Sequence, residues 1–270
     1  MKKLFTQAYK KMIFNLSAQN SILFLSYYKY FYKPAKGSLA CFYDKVSKHL
    51  DNTFVIQVGA NDGINHDPIH KYIKRDRWKG VLVEPQPDVF RNQLFPLYLI
   101  DKGIYMENIA ISDEIGLMDM YKISFTTERW ATGLTTFNKP TLEAKVDNGD
   151  IDTISKRKKI KVPAKKSDYI NQVKVETKTF DFLRAKYQIA EVDVLQIDVE
   201  GFDFEVIKLY DLSKNKPKVI VFESRHLTEI ESSEAEAYFI EHSFTVKKIK
   251  GDSIVVRNDF KFGMDLLNDY

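Results

Sequence analysis

The chain has 270 residues, 44% of them apolar and 29% charged, which excludes a disordered, collagen-like or low-complexity design and leaves length for one large domain or two small ones. Its single cysteine, Cys41, closes no intramolecular disulfide and completes no cysteine-rich zinc motif. The net charge of +4 is unevenly spread: residues 1–43 hold seven lysines and no acid, leaving 34 basic against 37 acidic side chains in the other 227 residues.

The basic front end reads MKKLFTQAYKKMIFNLSAQNSILFLSYYKYFYKPAKG. Its two opening lysines resemble the start of a signal peptide, but Asn15, Ser17, Gln19, Asn20 and Ser21 interrupt the apolar run and no small-residue cleavage pattern follows. Residues 22–32 are too few and too polar for a membrane-spanning helix. Leu4, Ala8, Met12 and Leu16 recur at every fourth position with Phe5 and Ile13 beside them, which predicts a helix with one apolar face. One reading docks that helix on the body with its lysines in water. Another sets lysines and aromatics against an anionic membrane surface or a lipid-linked substrate. A homo-oligomer contact and disorder stand as further readings, so oligomeric state is left open. Pro34 and Gly37 mark a break before the next element.

From residue 53 short apolar runs alternate with helical intervals, the signature of a parallel α/β sheet. Residues 54–58 (FVIQV) form the first run, stopped by Gly59-Ala60-Asn61-Asp62-Gly63, and 64–74 read as a helix. Residues 80–83 form the second run, ending at Glu84-Pro85 ahead of a helix from Asp88, and 104–110 form the third. Residues 117–125 alternate and predict an added strand or hairpin. The stretch 138–174 is acidic, then basic (KRKKIKVPAKK at 156–166), and poor in large apolar residues, so it reads as a mobile charged excursion. Its basic residues suit a solvated face, or contact with a phosphorylated substrate or a membrane. Nucleic acid is disfavoured, because no aromatic-basic sheet motif or recognition helix accompanies them. The alternation resumes with a helix over 179–187, a strand over 192–198 closed by Val199-Glu200-Gly201, a helix over 204–210, a strand over 217–223 and a glutamate-rich helix over 229–241. Two strands, 244–249 and 253–257, end the series around Lys250-Gly251-Asp252. A parallel α/β series closed by an antiparallel hairpin suggests the seven-stranded methyltransferase arrangement rather than a dinucleotide fold.

The glycines of the first turn, Gly59 and Gly63, let the backbone bend tightly and approach a ligand, yet the spacing fits neither G-x-G-x-x-G nor a P-loop. Glu84 ends the second strand 21 residues past Gly63, where such folds hold the two ribose hydroxyls of an adenosine. Asp198 and Glu200, then Glu223, Arg225 and His226, follow later strand ends and point to one crevice. Asp198, Glu200, Glu223 and His226 make an Asp/Glu/Glu/His set of the types that bind a divalent metal or deprotonate a hydroxyl.

The strings VIQVGANDG (55–63), VLVEP (81–85), NIAISDEIG (108–116), WATGLTTF (130–137), VKVETKTFDFL (173–183), VLQIDVEGFDFEVIK (194–208) and KVIVFE (218–223) resemble, in order, those of the FkbM family of S-adenosylmethionine-dependent methyltransferases. The resemblance covers roughly residues 53–257. It implies an α/β class I (Rossmann-like) methyltransferase fold, with a seven-stranded, mostly parallel sheet and a C-terminal antiparallel hairpin. The domain would span 51–258 with a charged insertion at about 138–172, behind an N-terminal helical extension (1–50) and ahead of a C-terminal tail (259–270). It implies S-adenosyl-L-methionine as cofactor and O-methylation of a hydroxyl on a sugar or glycan, in a phosphorylated, nucleotide-linked or lipid-linked form. Other outcomes are methylation of a lipid or small-molecule hydroxyl or carboxylate, or a binding protein that keeps the fold without catalysis.

Carried onto this sequence, the family pattern assigns Gly59, Asn61 and Gly63 to the cofactor loop, Glu84 to the ribose, and Ser112 and Asp113 to the adenine side. Asp198, Glu200 and Gly201 fall at the methyl-transfer edge. Asp198 is expected to face the acceptor as base or ligand of Mg2+ or Mn2+, with Glu223 and His226 as partners; Trp130, Thr132, Gly133, Leu134, Glu200 and Arg225 are expected around the acceptor. Trp130 suits stacking on a sugar face or a place in the core. Many members read D-V-G-A-N where this chain has Gln57-Val58-Gly59, and Asp62 is the candidate substitute for the lost carboxylate. A cytoplasmic site, peripheral at the inner membrane face through residues 1–36, is the expected location.

Overall fold

The structure is a computed structural model that describes residues 2–270 and the side chains of all of these except residues 2–5 and 7; Lys2, Lys3, Leu4 and Phe5 of the front-end reading therefore lie outside the described side chains. Seven strands form the main sheet in the order β3-β2-β1-β7-β8-β10-β9: β1 Phe54–Val58, β2 Lys79–Val83, β3 Ile104–Glu107, β7 Val194–Ile197, β8 Val219–Glu223, β9 Phe244–Ile249 and β10 Asp252–Arg257. The first five lie parallel, and β10 pairs antiparallel with β8 and β9. This is the class I methyltransferase-like arrangement that the terminal hairpin suggested. Three strands, β4 Ala110–Ile111, β5 Gly116–Ile123 and β6 Ile170–Lys178, form a second small sheet in the order β4-β6-β5.

The central strands read as unbroken apolar runs because both their faces are covered. Successive residues point to opposite faces. Val55, Leu82 and Val194 join Phe42, Tyr43, Trp78 and Tyr98 on one side. Ile56, Val81 and Leu195 join Phe204, Tyr210 and Phe239 on the other. Helix starts follow their caps: the Ser38, Thr179 and Thr228 side chains accept the amides of Cys41, Phe182 and Glu231, and Glu231 returns the bond to complete a capping box. The chain leaves β1 toward β2 in one direction and β7 toward β8 in the other. The crevice beyond the carboxyl ends of β1 and β7 is therefore the topological switch point, where such sheets bind ligands.

Several local expectations change. The helix expected over 64–74 runs only over His70–Asp76, because the Asp62 and Asp67 carboxylates capture the amides of Ile64, Asn65, Ile69 and His70 and hold the preceding stretch in turns. The third run splits where Asn108 donates to the carbonyls of Glu84 and Pro85, sending Ala110–Ile111 to the small sheet. The charged stretch 138–174 is no loose excursion. It forms the helices Lys139–Asp147 and Asp150–Lys158 and the start of β6, and it buries Leu142, Val146, Ile151 and Tyr169 against Ile123 and Ala131. The C-terminal tail contains a helix, Lys261–Leu267, whose last two leucines enter the main core.

At the front, the helix Lys2–Ala18 exists but turns a different face inward. Met12 is 49% exposed, while Phe14 and Ala18 pack on the core and Ser17 is buried in a hydrogen bond with His70 (2.9 Å). That buried polar pair fixes the rotation, which four-residue apolar spacing alone does not. Among the described residues, no helix is long and apolar enough to cross a membrane.

Candidate functional site

The turn after β1 and the turn after β7 are built against each other. Gly59 has φ +82°, and a Cβ there would lie 1.9 Å from the Asp198 carbonyl oxygen, so only glycine lets the two turns touch. The Gly59 and Ala60 amides donate to the Val83 carbonyl, and the Asp198 amide donates to that of Val58. Past Asp198, Glu200 takes a left-handed conformation (φ 55°) followed by Gly201 (φ 97°), a sparsely populated pairing of the kind held at functional sites. Asp203 supports it, since its buried carboxylate accepts the amides of Val199, Gly201 and Glu223. Burial and the neighbouring Asp198 charge push the Asp203 carboxyl up to about 7.

Two cavities flank this junction. One, of about 740 Å3, runs past Gly59, Asn61, Glu84, Ile109, Ser112, Asp113, Met118 and Met120. Its volume suits a nucleoside-sized ligand. Glu84 is 2% exposed, and its two carboxylate oxygens accept the amides of Asn61 and Gln86, each at 2.8 Å. Burial pushes its carboxyl up to about 7 despite those bonds. Each oxygen keeps a further lone pair for a hydroxyl donor. Ser112 donates to Asp113 beside the paired methionines.

The second cavity, a cleft of about 1170 Å3, is lined by Asp62, Trp130, Leu134, Gln196, Glu223, Arg225 and Asp252, among others. Four residues line both cavities: Arg129, Gly133, Asp198 and Glu200. The Arg129 guanidinium lies 3.9 Å from the Asp198 carboxylate and 4.0 Å from that of Glu200. Burial raises the Asp198 carboxyl, with Arg129, Arg225 and His226 opposing the shift. Burial, then repulsion by Asp198 and Glu223, pushes Glu200 up to about 7, with Arg129 pulling the other way. A carboxylate poised there is matched to general-base work near neutrality.

The expected site residues separate by cavity. Gly59, Asn61, Glu84, Ser112 and Asp113 share the smaller one, while Gly63 instead packs its turn against Leu94, Leu97 and Tyr98. Asp62 lines the larger cleft and not the smaller one, and its carboxylate accepts the amides of Ile64 and Asn65 and the side chain of Asn65. Gln57 itself donates to Asp67, away from the smaller cavity. Thr132, expected at the acceptor, lines the smaller cavity, donating to Asn61 and accepting Gln86 through its carbonyl. His226 lines neither cavity; it lies 3.2 Å from Glu223, which Arg225 contacts at 2.6 Å.

The ligand set expected of Asp198, Glu223 and His226 is not what converges. Among the described residues, the carboxylates of Glu200 and Glu223 and the imidazole of His226 bring donor atoms within 4.8 Å of one another, without Asp198. Arg225 contacts Glu223 through Oε1 and Arg129 faces Glu200 at 4.0 Å, while Glu223 Oε2 is buried without a hydrogen-bond partner among the described residues. Arg129 and Gln86 were missed by the sequence reading. Arg129 stands one residue before the segment taken as the acceptor loop, and Gln86 follows Glu84-Pro85, where its side chain also accepts Thr135 and ties that loop to β2.

Residues 57–246 match the family described as "Methyltransferase FkbM domain". Among solved structures, the chain is similar to a methyltransferase FkbM from Methylobacillus flagellatus KT (10% identity, TM-score 0.43, 76% of this chain and 43% of that one). It is also similar to a fibrillarin/Nop5p complex (11% identity, TM-score 0.36, 76% of this chain and 72% of that one). The chain thus spans less than half the length of the first of these. No curated protein matches it.

Proposed function

As the chain belongs to the FkbM methyltransferase family, we propose that it is an S-adenosylmethionine-dependent O-methyltransferase acting on a hydroxyl of a sugar or glycan. The observation that carries this reading is the junction: two cavities, one of nucleoside size and one wider and polar, meet at Arg129, Gly133, Asp198 and Glu200. The smaller cavity fits the cofactor. Glu84 offers paired acceptors to a ribose, and Ile109, Met118 and Met120 offer apolar contact to a base. S-adenosylmethionine supplies, when bound, a methyl group already activated by its sulfonium.

What remains for the protein is to hold the acceptor oxygen in line and remove its proton. Glu200 accepts that proton. It lines both cavities, and its raised pKa makes it a base near neutral pH. Asp198 keeps Glu200 basic by repulsion, and the Arg129 guanidinium faces both carboxylates at 3.9 and 4.0 Å. Trp130 lines the acceptor cleft and offers an aromatic face to a sugar ring. Lys10, Lys158 and Arg225 line the same cleft, which suits an acceptor carrying phosphate, including a lipid-linked one.

The test is S-adenosylhomocysteine formation across a panel of acceptors: free sugars, sugar phosphates, nucleotide sugars and lipid-linked glycans, beside aliphatic hydroxyls and carboxylates. Turnover confined to the sugar set supports the reading. Turnover confined to the lipid or carboxylate set overturns it.

A further inference from the structure

The front end carries chemistry that the methyl-transfer site does not use. The helix Ile22–Ser26 and the wide turn Tyr27–Phe31 follow each other directly. They dock through Phe24, which is buried and packs its ring on Tyr28 and His70. The opposite side of this element is apolar and open: Ile22 is 78% exposed, Leu23 71%, Tyr30 67% and Phe31 73%, with Tyr27 half exposed. Ile22, Leu23 and Tyr30 fall on the side of the helix turned away from Phe24, and Tyr27 and Phe31 extend the exposed apolar surface beside them. Exposed lysines stand at positions 10, 11, 29, 33 and 36 of the same front end, Lys10 and Lys11 beside Leu23 and Tyr27, and no acid occurs before Asp44. Packed body surface does not leave so many large apolar side chains open in one short element.

We infer that this face seats the protein on an anionic lipid bilayer. The combination of lysines with interfacial aromatics and protruding leucine, isoleucine and phenylalanine side chains is the one that binds at a headgroup boundary, apolar groups entering it and ammonium groups meeting lipid phosphates. Charge decides the occupant. A second copy of this face would bring like-charged lysines together with no acid among residues 1–43 to pair them, whereas an anionic surface complements all of them.

The face also has a geometric link to the site. A groove of about 790 Å3 lined by Phe14, Leu16, Leu23, Phe24, Lys10 and Lys71 lies between the front helices and the body. It shares Thr6, Lys10, Asn65 and Gln93 with the acceptor cleft. A bilayer at this face therefore lies beside the entrance of the cleft. The binding stands independently of which acceptor is methylated.

The experiment is co-sedimentation of the full chain with vesicles of phosphatidylcholine containing about a third phosphatidylglycerol, against vesicles of phosphatidylcholine alone. The expected result is binding to the anionic vesicles about tenfold or more tighter than to the neutral ones, weakening as salt is raised. The double variant Leu23→Glu/Phe31→Glu and the triple variant Lys29→Gln/Lys33→Gln/Lys36→Gln each lose about tenfold or more. Ile240→Glu, exposed on a helix packed against the other face of the sheet, binds as the wild type does. The inference is overturned if the wild type stays in the supernatant with anionic vesicles, or if both multiple variants sediment as fully as the wild type. It is equally overturned if the chain forms a dimer that Leu23→Glu/Phe31→Glu dissolves while no vesicles are bound.

Discussion

Glu200 is the residue on which the proton balance turns. Its carboxyl is raised by burial and by Asp198 and Glu223 to about 7, so it is protonated and unable to serve as base below that pH and ionised above it. The expected outcome is a turnover rate that climbs between pH 6 and 8 and then levels, with an apparent pKa near 7. Glu200→Gln should lower kcat about 100-fold or more and flatten that limb. Arg129→Gln removes a charge that pulls the same carboxyl down, so its limb should move to higher pH. A limb that stays unmoved in both variants would assign the base elsewhere. The sequence showed Glu84 and Glu200 because each stands at the end of an apolar strand run, a local signal. It could not show that Arg129 reaches across to Asp198 and Glu200, since that depends on how distant turns meet.

At the scale of elements, the strand runs were legible in chain order because burial on both faces leaves an unmistakable apolar pattern. The small sheet was not. β5 and β6 pair antiparallel although three α-helices separate them, and residues 138–174 looked too polar to pack. Their burial rests on a handful of side chains: Ile151 is fully buried and Leu142 nearly so. Ile151→Ala should therefore cost about 2–4 kcal/mol in urea unfolding; a loss below about 0.5 kcal/mol would show the segment to be loosely attached. The turn after the short helix Arg129–Thr132 is constrained as tightly. A Cβ at Gly133 would lie 2.6 Å from the Arg129 guanidinium and 2.9 Å from the Glu200 carboxylate, at a backbone angle any residue tolerates. Gly133→Ala should leave the unfolding midpoint nearly unchanged yet cut kcat about tenfold or more, because it displaces both groups. Unchanged kcat would mean that the pair's position is immaterial.

Over the whole molecule, the uneven charge separates into regions with different roles. The sheet and its two cores place the junction at the switch point, the helical segment 139–158 closes one side of it, and the lysine-rich front end lies along the groove that opens into the acceptor cleft. The front end was readable as basic and helical, but its buried face was not, because Ser17 and His70 set the rotation through a polar contact that apolar periodicity ignores. The central claim is that the cavity between the glycine turn and β4 holds the methyl donor with Glu84 at its ribose. Calorimetric titration of S-adenosylmethionine into the wild type and Glu84→Gln tests it most directly. The wild type should show a single site, and the variant about tenfold or more weaker binding at an intact unfolding transition. Absence of binding to the wild type, or equal affinity in both proteins, would contradict it.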